Sequence, residues 1–329
     1  MPPHPANATR TVPTLHALVA SIIDYAGLFP PADLPLDEAI HHYARYRGEP
    51  DAWMLARFVI PVRRLEALTP YSGLFAEHPP FRFTVLGTGG PDTEAFLSAF
   101  RSDLETIRAF HQRYPGQVRV DGMEVRLPAT LPGTDTDTIR AFLDAVRRLA
   151  APVHPGLDLF FEAPLNDALR QHAPAILEAM ASHNRDHGER VGFKMRTGGL
   201  MPEAFPAPEH LAFAILACLK AGVRFKATAG LHHPVRCYHE SVRAHMYGFF
   251  NLFGGAVLAA THHFDEATLR TLLLDDNAAH FHFHDDAFVW NGYSASLNAI
   301  RRVRTEYAIS FGSCSFDEPR EDLRALGLL

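Results

Sequence analysis

Of the 31 basic side chains in this sequence, only three are lysine, at positions 194, 220 and 226. Arginine supplies the rest. A lysine kept against that bias points to what arginine lacks, a titratable amine that can become a nucleophile. Lys194 and Lys226 each close a short β-rich run and are each followed by small residues and glycine. The segments are Phe193-Lys-Met-Arg-Thr-Gly-Gly199 and Phe225-Lys-Ala-Thr-Ala-Gly-Leu-His-His233. They lie on consecutive runs joined by one helical stretch, which sets the two lysines side by side. Neighbouring ammonium groups disfavour each other's charge, so at least one pKa is expected to fall. An ordinary lysine (pKa ~10.4) is almost wholly protonated at neutral pH. A fall of roughly three units, about 4 kcal/mol, makes the free amine a major species. Such an amine can attack a carbonyl and form a Schiff base.

Other polar residues gather around this pair. Arg196 follows Lys194 by two residues, which on a strand puts both on one side. A guanidinium there suits a carboxylate or phosphate on a substrate. The glycine turns at 199 and 230 offer backbone N–H groups for an anion. Glu124 lies within one further β-rich run and Glu162 ends another. Both can move protons or neutralise the cations, Glu124 opposing the fall in lysine pKa by favouring the charged form; for Glu162 neutralisation is the favoured reading. Asp24, before Tyr-Ala-Gly, reads equally as catalytic or as a turn residue. His232 and His233 can bind a metal, assist proton transfer or cap a loop, but adjacent strand residues point opposite ways. His280, His282 and His284 alternate within one β-like run, an arrangement that also fits a metal or a solvated hairpin. Cys314 reads as a packing residue.

The elements that must hold these groups alternate. Runs at 21–24, 55–60, 81–86, 122–127, 157–162, 191–194, 223–226 and 308–311 are β-rich. Amphipathic stretches at 93–114, 136–150, 166–183 and 208–221 lie between them. Such alternation predicts a parallel sheet with helical crossovers, and eight strands fit a closed α/β barrel, the (β/α)8 TIM fold. In that architecture the loops at the strand C-termini build the active site. Between the seventh and eighth runs lies extra material, residues 245–307. It is expected to hold helices at 245–260, 265–274 and 294–307 and a hairpin at 280–290, and to serve as a cap or a homo-oligomer contact. Residues 1–14 read as a loose tail and 15–329 as one domain.

Bulk properties bound the function. The 329 residues are 47% apolar, ample for a sizeable core, and carry a net charge of −6. No basic surface recruits nucleic acid or an anionic membrane. The longest apolar run, 249–260, is too short to span a bilayer. The Pro-rich start has no apolar signal-peptide core. Three scattered cysteines suggest reduced thiols and a cytoplasmic setting.

In serial order, these motifs resemble those of deoxyribose-phosphate aldolase, a Schiff-base (class I) aldolase family. The Lys194 segment is similar to that family's Lys-Thr-Ser-Thr-Gly motif, and the Lys226 segment to its Phe-Lys-x-x-Gly-Gly motif. Asp121-Gly-Met-Glu-Val-Arg-Leu-Pro128 resembles its Asp-x-Val-Asp-Val-Val-x-Pro strand, and Phe160-Phe-Glu-Ala163 its Ile-Ile-Glu-Thr strand. Phe311-Gly-Ser-Cys-Ser315 is similar to its Phe-Gly-Ala-Ser-Ser phosphate loop. The resemblance covers about residues 20–240 and 308–316 in order. It implies Lys194 as the Schiff-base lysine, Lys226 as the residue that lowers its pKa, and Glu124 in place of the acid/base aspartate. It implies Gly199, Gly230, Gly312 and Ser313 as phosphate-loop positions. The chain departs from the family where Asp158 stands for a strand-five lysine, where Arg196 replaces a small hydroxyl residue, and at His232-His233. Substrate identity therefore does not carry over.

The expected function is a class I aldolase or related lyase acting on a small anionic carbonyl compound, with no metal and no organic cofactor required. Two alternatives stay open: a metal-dependent hydrolase or isomerase using His232 and His233, and a non-catalytic anion-binding barrel.

Overall fold

The computed structural model describes residues 11–76, 79–188 and 190–329. Eight parallel strands close into a barrel, in the order β1 (Ile23–Tyr25), β13 (Ala308–Ser313), β7 (Phe225–Thr228), β6 (Gly192–Arg196), β5 (Asp158–Glu162), β4 (Val118–Arg126), β3 (Phe81–Leu86) and β2 (Leu55–Pro61). This is the (β/α)8 barrel that the alternating pattern predicts. β-Branched and aromatic side chains dominate the staves, and Phe58, Phe83, Phe161, Phe225 and Phe311 are fully buried.

Local chemistry sets the helix ends. Asp92, Asp135 and Asn166 cap α3 (Thr93–Arg113), α4 (Thr136–Ala150) and α5 (Asp167–His187), each accepting the N–H three residues on. Gly188 and Gly222 end α5 and α6 (Pro208–Ala221) in the left-handed conformation that glycine tolerates. Residues 1–10 of the expected tail lie outside the described residues. Pro13 and Thr14 are not loose: they open helix α1 (Pro13–Val19).

The 245–307 segment differs from its expected layout. Residues 244–246 form β9 (Ala244–Met246), paired antiparallel with β8 (Cys237–His239). A widened helical turn follows at Phe250–Gly254, and only then α7 (Gly255–His262). Asn251 explains the widening. Its fully buried amide accepts the Arg236 N–H at 2.8 Å and donates to the Leu272 and Asp275 carbonyls. A side chain tied to three backbone groups outside the helix displaces the regular ladder. α8 (Glu266–Leu274) matches its expected span. The expected hairpin is a three-stranded meander, β10 (Phe281–Phe283), β11 (Ala287–Trp290) and β12 (Tyr293–Ser296), and α9 (Leu297–Glu306) begins only after it. The segment joins the outer layer of the barrel. Phe249 stacks on Phe311 with centroids 5.6 Å apart, and α8 and α9 pack on α6 and α1. α10 (Asp317–Ala325) follows β13.

Candidate active site

The parallel register puts Lys194 directly beside Lys226 and beside Glu162. All three side chains converge near the C-terminal end of the barrel, where Glu124 reaches them from β4. Lys194 Nζ lies 2.9 Å from Glu124 Oε2 and 3.0 Å from Glu162 Oε2. Lys226 donates to the other Glu124 oxygen and to Asp24 Oδ2 at 2.6 Å. Arg196 Nε lies 3.0 Å from Glu162 Oε1. The result is a chain of alternating charge: Asp24, Lys226, Glu124, Lys194, Glu162, Arg196. Among these six, only Arg196 is substantially exposed, at 43%.

Glu124 thus separates the two ammonium groups, and this corrects the electrostatic expectation. Burial works to lower the Lys194 pKa, but Glu124 and Glu162 outweigh it and hold the amine above the ordinary lysine range. Burial pushes the Glu124 carboxyl up, yet the two lysines bring it down to about 2. Glu162 is lowered in the same way, by Lys194 and Arg196 against its burial. In the empty site, therefore, Lys194 is a paired ammonium. Glu124 favours the charged amine and the neighbouring lysine disfavours it; the bridge decides the balance in the carboxylate's favour.

A cavity of about 440 Å³ opens over this chain. Lys194, Glu124 and Arg196 line it, with Gly199, Gly230 and Gly312 at its rim. Lys226 does not; it lies behind Glu124 at 1% exposure. A more open extension along the loops after β3 and β4 shares Glu124, Lys194 and Arg196 and adds Glu162. Asp24 is fully buried beneath the cavity. It accepts from Ser310 Oγ at 2.7 Å and from the Arg57 backbone N–H at 3.1 Å, as well as from Lys226. It is neither a turn residue nor a substrate contact but the inner partner of Lys226. Ser313 is also buried away from the cavity, and its Oγ accepts the Ser315 N–H. Cys314 takes the place at the wall that the loop reading gave to Ser313. Burial raises its thiol pKa, so it stays protonated there.

The rim is held by backbone contacts. Thr197 Oγ1 donates to the Ala229 carbonyl at 2.6 Å, and its N–H to the Thr228 carbonyl. This staples the turn after β6 to the turn after β7. A Cβ on Gly198 would meet Gly230 Cα at 2.9 Å, and Gly230 has φ +70°. Both glycines are required by that approach.

The histidines separate. His232 faces the cavity, with Nδ1 2.9 Å from Glu318 Oε2. His233 turns away and bonds Asp322. His280 sits in a turn before β10 and bonds Asp275, while His282 and His284 stack on each other 6.4 Å apart. They do not converge as one three-imidazole face. Glu318, in the first turn of the last helix, is a wall partner that the motif reading missed. The only signal for it is its position three residues after the Phe311–Ser315 loop.

No helix among the described residues is long and apolar enough to cross a membrane. No family model and no curated protein matches the sequence. Among solved structures, a Toxoplasma gondii ME49 protein described as a deoxyribose-phosphate aldolase is similar at a TM-score of 0.47 and 9% identity, over 95% of this chain and 96% of that one. The aldolase QR15 is similar at 0.41 and 9%, over 66% and 83%. An intracellular xylanase, TsXylA from Thermoanaerobacterium saccharolyticum, is similar at 0.44 and 13%, over 94% and 91%. Likeness this distant, shared by aldolases and a xylanase, carries no argument about chemistry, which rests on the side chains above.

Proposed function

We propose that the chain is a Schiff-base aldolase or related carbon–carbon lyase, with Lys194 as its nucleophile. The observation that carries this reading is the division of labour between the two lysines. Lys194 is at the cavity wall, whereas Lys226 is sealed behind it, and one carboxylate, Glu124, touches both. A nucleophile and a proton acceptor in contact with it are what imine formation requires, and Lys226 holds that acceptor in place. Lys194 must first give up a proton, with Glu124 the carboxylate that relays it, a step the pairing opposes at neutral pH and high pH assists. The freed lone pair of the amine then attacks the substrate carbonyl carbon, and the carbonyl oxygen leaves as water once protonated. The resulting iminium accepts the electron pair of the adjacent carbon–carbon bond as that bond breaks. The hydroxyl on the departing carbon loses its proton and becomes a carbonyl, the enamine left on Lys194 takes up a proton at carbon, and water releases the second product, or the reverse on bond formation.

The substrate class follows from the rim. Arg196 is exposed and its fork is only partly used by Glu162, so it can take a carboxylate or phosphate end. Gly199, Gly230 and Gly312 supply backbone close to that end. The alternatives are weaker on the same geometry. Asp24, Glu124 and Glu162 already hold Lys194 and Lys226, so neither lysine is a free anion ligand, and anion capture is left to Arg196 at the rim. His232 and His233 face different environments, which disfavours a hydrolytic metal over the lysines. We assign the catalytic unit to residues 15–329, placed in the cytoplasm. The test is incubation with small aldehydes and ketones, borohydride reduction and peptide mapping. An adduct on Lys194 is expected; no adduct, or one that maps to Lys220, overturns the reading.

A further inference from the structure

Behind the cavity wall, three separate pieces of chain meet: the loop after β7, the β8–β9 hairpin and the first turns of α10. They bring a donor atom from each of His233, His239 and Glu318 within 4.8 Å of one another. Each imidazole has its Nδ1 already engaged. His233 Nδ1 donates to Asp322 Oδ2 at 2.6 Å, and His239 Nδ1 lies 2.8 Å from Ser241 Oγ. The unused nitrogen of each ring is thus Nε2. That of His233 is buried and makes no hydrogen bond of good geometry, with the Cys237 thiol beside the ring. A buried polar atom left so is costly unless something fills the place. The rings stack, with centroids 5.7 Å apart and planes 26° from parallel, so both are held in orientation. A carboxylate on the far nitrogen of an imidazole is the arrangement that fixes the tautomer and raises the basicity of a metal-binding histidine.

We propose that His233, His239 and Glu318 bind a zinc-class divalent cation. Two imidazoles and a carboxylate match the ligand chemistry of Zn2+. Bonds of about 2.0–2.1 Å in a tetrahedral site put donors ~3.4 Å apart. Small side-chain rotations close the present gap to that spacing. Asp322 and Ser241 are the supports behind the two rings. Glu318 keeps one oxygen near His232, which lines the lysine cavity. The cation would tie hairpin, loop and final helix together at the edge of the cavity, outside the lysine chemistry and independent of it.

The test is a titration of the chelator-stripped full chain with Zn2+ against a chromophoric competitor. One tight site per chain is expected. His239→Ala and the near-isosteric Glu318→Gln are each expected to weaken it at least tenfold with circular dichroism unchanged. Asp322→Asn, which removes only a support, is expected to cost about 10–100-fold. Should a variant fail to fold, Co2+ loading of the unaltered chain decides: intense visible bands of four-coordinate cobalt are expected. Absence of stoichiometric binding, absence of those bands, or variants that bind as the parent does would each overturn the proposal. In the last case the Asp144–His183–His187 group would be the place to look.

Discussion

Two ionic layers fill the barrel, and they are built from different cations. Toward the N-terminal ends of the strands the cations are arginines. Arg57 and Arg82 share Asp121, Arg57 also approaches Asp158, and Arg224 holds Asp158 at 2.9 Å. Toward the C-terminal ends they are Lys194 and Lys226, with Arg196 only at the rim. Both layers are paired and, apart from Arg82 and Arg196 at their edges, mostly buried, and Asp24 touches both. Arginine presents a rigid fork that does not deprotonate in proteins, whereas lysine keeps its proton only as long as its surroundings hold it. The lower layer is therefore fixed charge and the upper one convertible charge. Ion pairing by itself does not mark the active site; the type of cation does.

Substitution can break this contrast. The largest effect is expected from Lys194→Arg, which keeps the charge and should abolish borohydride trapping altogether; Lys226→Arg should leave some trapping, stronger at high pH. Trapping by Lys194→Arg at the parental level would erase the distinction between the layers. Asp121→Asn takes from Arg57 and Arg82 the carboxylate they share, leaving Arg57 only the more distant Asp24 and Asp158. It should cost stability in denaturant titration, up to about 3–5 kcal/mol as for other broken buried pairs, yet leave the adduct site unchanged. Acid should separate Glu124 from ordinary carboxylates. Its folded pKa of about 2 lies below the ordinary 4.5, so its contribution is fully present above 4.5 and is lost as pH falls toward 2. That contribution amounts to about 3 kcal/mol. Glu124→Gln should flatten this part of the stability–pH curve, measured by thermal melts from pH 5 to pH 2. The smallest effect is expected at the rim, where Arg196→Lys should weaken an anionic substrate by about 1–3 kcal/mol, with the trapping of neutral aldehydes unaltered.

Much of the barrel was legible in sequence because its signals are local. The runs ending in Lys194 and Lys226 show their adjacency directly, since consecutive parallel strands joined by one helix pair side by side. The partners that decide the protonation of those lysines come from afar. Asp24 lies some 200 residues before Lys226 and reaches it only through closure of the barrel across β13. Glu124 crosses the interior from β4. Sequence shows that Glu124 and the second lysine pull the Lys194 pKa in opposite directions, but not that one carboxylate touches both amines, and that contact is what decides the sign. The stretch after Met246 misled for another reason. Its apolar residues suit a helix, but the buried Asn251 serves backbone groups on two other segments, which no periodicity records.

The approach of Gly198 to Gly230 bears on how this cavity can be reshaped. Neither position has room for a side chain, and Thr197 fastens the same two turns together. The β6 and β7 loops therefore behave as a single jaw, and a substrate of different width has to be accommodated on the facing side. Phe29, Val59 and Leu86, from the β1 to β3 side of the barrel, line the cavity outside that jaw. A library aimed at new carbonyl substrates belongs at those three positions, with the glycines left untouched.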